Sequence, residues 1–181
     1  MWKMSVVVAN LSASDNYFTF FGLLPRFKLD TSVLDQAYLA IQKEVHPDRH
    51  TNGTEAEQRI AMQLATYANT AYRTLKDPVQ RGLYLCQLNG VEAHLETNTA
   101  MPAQFLMKQM EWREALEDSS EDLNSLELLA AEVYQAKQNA FTQLEEECEK
   151  IDYLKAIETV RGLLFIDKFA NELDDAIAEL A

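Results

Sequence analysis

QKEVHPDRHTNGTEAEQ, residues 42–58, decides how the rest of the chain is read. A helical pattern runs into it and another leaves it. Pro47 cannot continue the first helix, because it has no backbone N–H to donate and its ring collides with the preceding turn; it also biases His46 towards extended backbone. Asn52-Gly53 is turn chemistry. Thr54, with Glu57 three residues later, is a capping box that starts a new helix. The stretch therefore predicts the tip of a helical hairpin, with His46, Pro47 and Asp48 displayed on it.

The two arms follow by working outward. Upstream, LDTSVLDQAYLAIQKEV offers Asp30, Thr31 and Ser32 as alternative caps and sets Leu34, Ala37, Tyr38, Ile41 and Val45 on one stripe. Downstream, Ile60, Leu64, Tyr67, Ala68, Ala71 and Leu75 make the facing stripe, closed by Asp77-Pro78. DNYFTFFGL, opening at Asp15, predicts a short, aromatic, buried helix carrying Tyr17, Phe18, Phe20, Phe21 and Leu24 and ended by Gly22 and Pro25. VQRGLYLCQLNG continues as a brief helix to Asn89-Gly90, and VEAHLETNTAMP has no clear period and reads as a linker. After Pro102, helical patterns over Ala103 to Asp118, Glu121 to about Glu149 and Ile151 to about Leu180 predict a three-helix bundle. The expectation is an all-α protein: an N-terminal extension over 1–14, a hairpin domain over 15–89, a linker over 90–101 and a bundle over 102–181.

Composition agrees. With 181 residues, 48% of them hydrophobic, and only five glycines and four prolines, the chain can bury a core and favours helix. Charge is split unevenly. Leu11 to Asn89 holds eight Lys/Arg and eight Asp/Glu; Gly90 to Ala181 holds seven against twenty-one. Such acidity argues against nucleic acid and against anionic membranes, both of which require clustered cations. Cys86 and Cys148 lack metal or redox spacing and read as buried thiols of a reducing compartment. MWKMSVVVAN is too short in its apolar run for a secretory signal, and no segment is long enough to span a membrane, so a cytoplasmic location is expected.

His46-x-Asp48-x-His50 sets two imidazoles and a carboxylate close together. A catalytic zinc site needs three ligands in fixed geometry, and the remaining histidine, His94, falls in the linker. HExxH, a phosphate-cradling glycine loop and a GxSxG elbow are all missing. No catalytic residue, cofactor or metal is expected.

NYFTFFGL, then a helix ending VHPDR, then ANTAYRTLKDPVQRGLYL, together resemble the J domain of DnaJ-type co-chaperones. That resemblance implies that His46, Pro47 and Asp48, with Lys43 and Arg49 beside them, dock onto a DnaK-type chaperone and stimulate its ATPase. J domains usually display several cations on the helix before the loop. Here that helix has only Lys43, with Arg49 and His50 in the loop and Arg26 and Lys28 upstream, so electrostatic steering should be weak.

The second module has no glycine/phenylalanine-rich linker and no cysteine repeats. Its first helix, FLMKQMEWREAL, carries two apolar arcs instead of one. Phe105, Trp112 and Leu116 share a narrow arc, whereas Leu106, Met110 and Met107 lie on another centred about 140° away, with Glu114 inside it and Glu111 at its edge. TVRGLLFIDKF on the last helix is likewise apolar right around, through Leu163, Leu164, Phe165 and Ile166, and Phe165 is expected beside the Leu106/Met110 arc. These stretches resemble the second domain of the HscB family, the J-type co-chaperones of bacterial iron–sulfur cluster assembly. The resemblance implies that Leu106, Met107, Met110, Glu111, Glu114 and Phe165 bind the cluster scaffold IscU, which is delivered to the specialised chaperone HscA. Met110 stands where the family usually has leucine, a volume-conserving change. A monomer is expected. The rival reading is a general J-type holdase for unfolded clients that dimerises through the second arc.

Overall fold

The computed structural model describes residues 16–45, 53–92, 103–119 and 121–180, the side chains of Ala103 and Gln104 excepted. Among them every regular element is a helix: α1 (Tyr17–Phe20), α2 (Thr31–Val45), α3 (Glu55–Lys76), α4 (Pro78–Leu88), α5 (Ala103–Asp118), α6 (Leu123–Glu149) and α7 (Tyr153–Leu180). The fold is all-α, as expected. The chain divides into two compact units, Met1–Arg81 and Gly82–Ala181, and the division falls within α4.

In the first unit, α1 is capped by Asn16, whose side chain accepts the Thr19 N–H at 2.9 Å. Gly22 then turns the chain with φ of 69°, a conformation that costs other residues clash at Cβ. Phe18, Phe20 and Phe21 are buried, but Leu24, expected among them, is 72% exposed because it lies beyond that turn. Asp30 starts α2 by accepting the Ser32 N–H at 2.9 Å. Leu34, Ile41 and Val45 are buried from α2. The α3 capping box is present in full: the Thr54 N–H donates to Glu57 Oε2 at 2.7 Å and the Glu57 N–H to Thr54 Oγ1 at 3.3 Å.

The inner stripe of α3 is Ala61, Leu64, Ala68, Ala71 and Leu75. Ile60, placed on that stripe by the sequence, is 49% exposed. One residue is about 100° of helix rotation, and the small Ala61 lets α3 approach its neighbour where isoleucine would hold it off. Tyr38 stacks on Tyr72 with ring centroids 4.1 Å apart, and Asn69 accepts both the Tyr38 hydroxyl and the Gln42 amide, at 2.8 and 2.6 Å. Asp77 ends α3 and begins α4, accepting the Val79 and Gln80 N–H groups at 2.8 and 3.0 Å, with Pro78 at the first helical position where its missing donor is not needed.

The second unit is built on α6 and α7, of 27 and 28 residues. Both begin two residues later than the hydrophobic pattern suggests, because an aspartate caps each. Asp122 accepts from Asn124 N–H, and Asp152 from Lys155 N–H. The corner between them contains Ile151 at φ of 59°. Trp112 from α5, Leu126, Leu129 and Val133 from α6, and Ile166, Phe169 and Leu173 from α7 form a continuous core. Cys86 and Cys148 are buried, as expected of them.

Candidate functional site

Of the expected chaperone-binding residues, His46, Pro47, Asp48 and Arg49 lie outside the described residues. Lys43 is exposed in the last turn of α2. The described helices flanking His46 to Arg49 in sequence are α2, which ends at Val45, and α3, which begins at Glu55 behind its capping box.

The second apolar arc of α5 is displayed to water. Leu106, Met107 and Met110 are 44%, 63% and 62% exposed, while Trp112, on the opposite side of the same helix, is 2% exposed and stacks on Phe169. Glu111 and Glu114 are exposed with the methionines. Phe165 is half-buried at the edge of the core. Its ring meets Phe105 edge-on with centroids 5.8 Å apart, stacks along Phe169 at 6.5 Å, and carries the Arg113 guanidinium 5.9 Å from its centroid. Arg113 lies about 20° of helix rotation from Leu106, so α7 presents Phe165 on the flank of α5 that leads onto the exposed arc.

Two ion-pair systems frame this face, and the sequence reading named neither. Arg113 binds Glu172 at 3.3 Å. Lys108 reaches Glu132 at 2.6 Å and Glu111 at 3.1 Å, and Glu132 also accepts the Trp112 Nε1–H at 2.9 Å. Hydrogen bonds from Lys108 first, then Trp112, hold the Glu132 carboxyl below the usual glutamate range, and the same carboxylate, followed by Glu111, raises the Lys108 ammonium. The Lys108–Glu111 spacing of three was visible in the sequence as a helical pair. Glu132 and Glu172 sit on other helices and had no local signal. Among the described residues no group of three metal-ligating side chains comes together, and no helix is long and apolar enough to cross a membrane.

A capped helical hairpin joined to a bundle that keeps leucine and methionine in water is the build of a J-type co-chaperone. Comparison with known proteins agrees. Residues 101–174 match the family described as HSCB C-terminal oligomerisation domain. A co-chaperone protein HscB homolog from Bordetella pertussis is 46% identical over 167 residues, covering 91% of this chain and 97% of that protein. Chaperone HscB from Vibrio cholerae superposes with a TM-score of 0.82 at 35% identity, over 92% of this chain and 100% of that one. Human co-chaperone protein HscB gives 0.85 at 26% identity, over 90% and 82%. The chain belongs to the HscB family of co-chaperones.

Proposed function

We propose that the protein carries an iron–sulfur scaffold of the IscU kind to a DnaK-type chaperone of the HscA kind and triggers that chaperone's ATPase, acting from the cytoplasm of a bacterium. In this reading the domains run over 15–89 and 102–181, joined by a linker over 90–101. His46, Pro47 and Asp48, with Lys43 and Arg49, meet the chaperone. A proline-stiffened tip loses little freedom on docking, and the Asp48 carboxylate is a charge-assisted acceptor for an arginine. Leu106, Met107, Met110, Glu111, Glu114 and Phe165 meet the scaffold. The protein makes or breaks no covalent bond itself.

The observation that carries this reading is the exposure of Leu106, Met107 and Met110 on a helix whose other face packs on the core through Trp112. Unbranched methionine adapts to a partner surface, and aromatic anchors such as Phe165 contribute most when a partner completes their burial. The test is a pair of variants. His46→Gln is expected to abolish chaperone stimulation with scaffold affinity intact. Leu106→Ala with Phe165→Ala is expected to weaken scaffold binding by about 2–4 kcal/mol and leave the chaperone response of free protein unchanged. Loss of both activities in either variant would contradict separate surfaces.

The same exposure, with the matched family's description as an oligomerisation domain, favours one rival: a second copy covers the face. Light scattering decides between them. A dimer that becomes monomeric in the Leu106→Ala/Phe165→Ala variant supports the rival, and a monomer in both supports scaffold binding.

A further inference from the structure

α6 differs from its neighbours in what it shows to water. By the helical period, Asn124, Leu128, Ala131, Gln135, Gln138 and Thr142 share its outward face, and all of them are exposed. None is charged. Glu127 and Tyr134 stand on one flank of this strip and Glu132 on the other, while Lys137 is turned to α7, 2.6 Å from Asp167. Leu128 and Tyr134 are 74% and 63% exposed. The outward faces of α5 and α7 are of another kind: Glu111, Glu114 and Glu117 are exposed on the first, and Glu158, Asp174 and Asp175 on the second. Leu126, Leu129 and Val133 turn the opposite side of α6 into the core that it shares with α5 and α7, so the strip points away from both of those helices.

We infer that the outward strip of α6 is a self-association surface, occupied by the same strip of a second copy in an antiparallel, two-fold pair. The inference goes beyond the scaffold reading and does not depend on it; the matched family's description names oligomerisation but no surface. An acidic module repels its own kind wherever carboxylates face each other, and the α6 strip lets two copies meet without that cost. A parallel pair would set Glu146 and Glu149, exposed just past the strip, against themselves; an antiparallel pair separates them. The strip is centred near Val133. Ala131 of one copy therefore meets Gln135 of the other, and Leu128 meets Gln138. The small Ala131 lets the helices approach closely. Two-fold symmetry brings like flanks together, which sets the two Tyr134 rings side by side and a Gln138 amide within reach of Glu127 on the second copy. The contact is one helix pair wide, at the low end of specific interfaces, so the dimer is weak and reversible and the monomer expected from the sequence is its dilute form. Leu106 and Phe165 stay uncovered in it.

Sedimentation equilibrium of the full-length chain, from micromolar to near-millimolar concentration at low and physiological salt, is the test. A reversible dimer is expected that tightens several-fold as salt screens the acidic modules, opposite in sign to the binding of a basic partner. Leu106→Ala/Phe165→Ala is expected to dimerise like the parent. Ala131→Glu should weaken the dimer about tenfold or more, because it places like charges inside the contact. Mixing the Ala131→Glu and Gln135→Lys variants should restore a dimer of mixed composition, since the introduced charges then face each other; that rescue also shows that both variants fold. A parent that stays monomeric throughout, an Ala131→Glu variant that dimerises like the parent, or a loss that mixing does not restore each overturns the inference. So does a dimer that is lost in Leu106→Ala/Phe165→Ala, which moves the contact to α5. Titration of the dilute parent with an IscU-type scaffold reads the scaffold function separately, whichever way self-association falls.

Discussion

Asp35 on α2 accepts Lys76 Nζ through both oxygens, at 2.7 and 2.8 Å, and the Tyr72 hydroxyl at 2.9 Å, tying α2 to α3. The Lys76 hydrogen bond, then that from Tyr72, holds its carboxyl below 3.8. A folded-state value below the unfolded one means that the carboxylate favours the fold above pH 3.8, and that this contribution is lost as the pH falls below it. Asp35→Asn should therefore melt at a lower temperature than the parent near neutrality, and the gap should close on acidification through that range. Thermal melts followed by circular dichroism measure it; a gap that persists in acid would assign the effect to shape, not charge. Cys86 is the opposite case. Burial first, and the Glu147 charge second, push its thiol up to about 11. The folded protein keeps that proton, so the contribution is present below 9.0 and is lost as pH rises towards 11. At neutral pH Cys86 should be unreactive towards a disulfide reagent such as DTNB until denaturant is added, and Cys148, also buried, should behave likewise.

At the scale of the element, α5 has one face for the core and one for solvent, and substitutions should sort accordingly. Trp112→Ala removes a 2% exposed ring and should cost about 3–5 kcal/mol in urea unfolding, whereas Met110→Ala should stay within about 0.5 kcal/mol. Gly162 interrupts α7 without need of its flexibility. A Cβ there meets only the Phe105 ring, at an ordinary 3.5 Å, so Gly162→Ala should raise stability by about 0.5–1 kcal/mol in the same measurement. The helices were legible because their punctuation is local: Thr54 with Glu57, Asp77-Pro78 and Asn89-Gly90 act within a turn. The two arcs of α5 were legible for the same reason, since a residue's angle depends only on its position. Ile60 was misread because choosing between it and Ala61 depends on how closely a second helix approaches. Glu132 and Glu172 went unseen because their partners are 20 and 59 residues away. Local pattern gives the face; only packing gives the frame around it.

For the whole molecule, charge and fold are separate matters. Seven cations against twenty-one anions after Asn89 leave a large negative excess beyond the ion pairs within the bundle, and that excess sets a field around it. On the proposed function, association with a scaffold whose patch is basic should slow several-fold between low and physiological salt in stopped-flow measurements, while the hairpin, near neutrality in charge, should meet a DnaK-type chaperone with little salt dependence. An association rate indifferent to salt on the scaffold side would reduce the acidity to a matter of solvation. The bundle also carries a built-in tension. Ile151 is 72% exposed, and its branched Cβ is held in left-handed backbone by neighbouring links from its own N–H to the Cys148 carbonyl and from the Asp152 N–H to that of Glu147. The chain reversal between the two longest rods is a sprung hinge pin clamped shut from both sides, gaining nothing from burial. Ile151→Gly is therefore expected to add heat resistance at this corner, unloading the spring without disturbing the core.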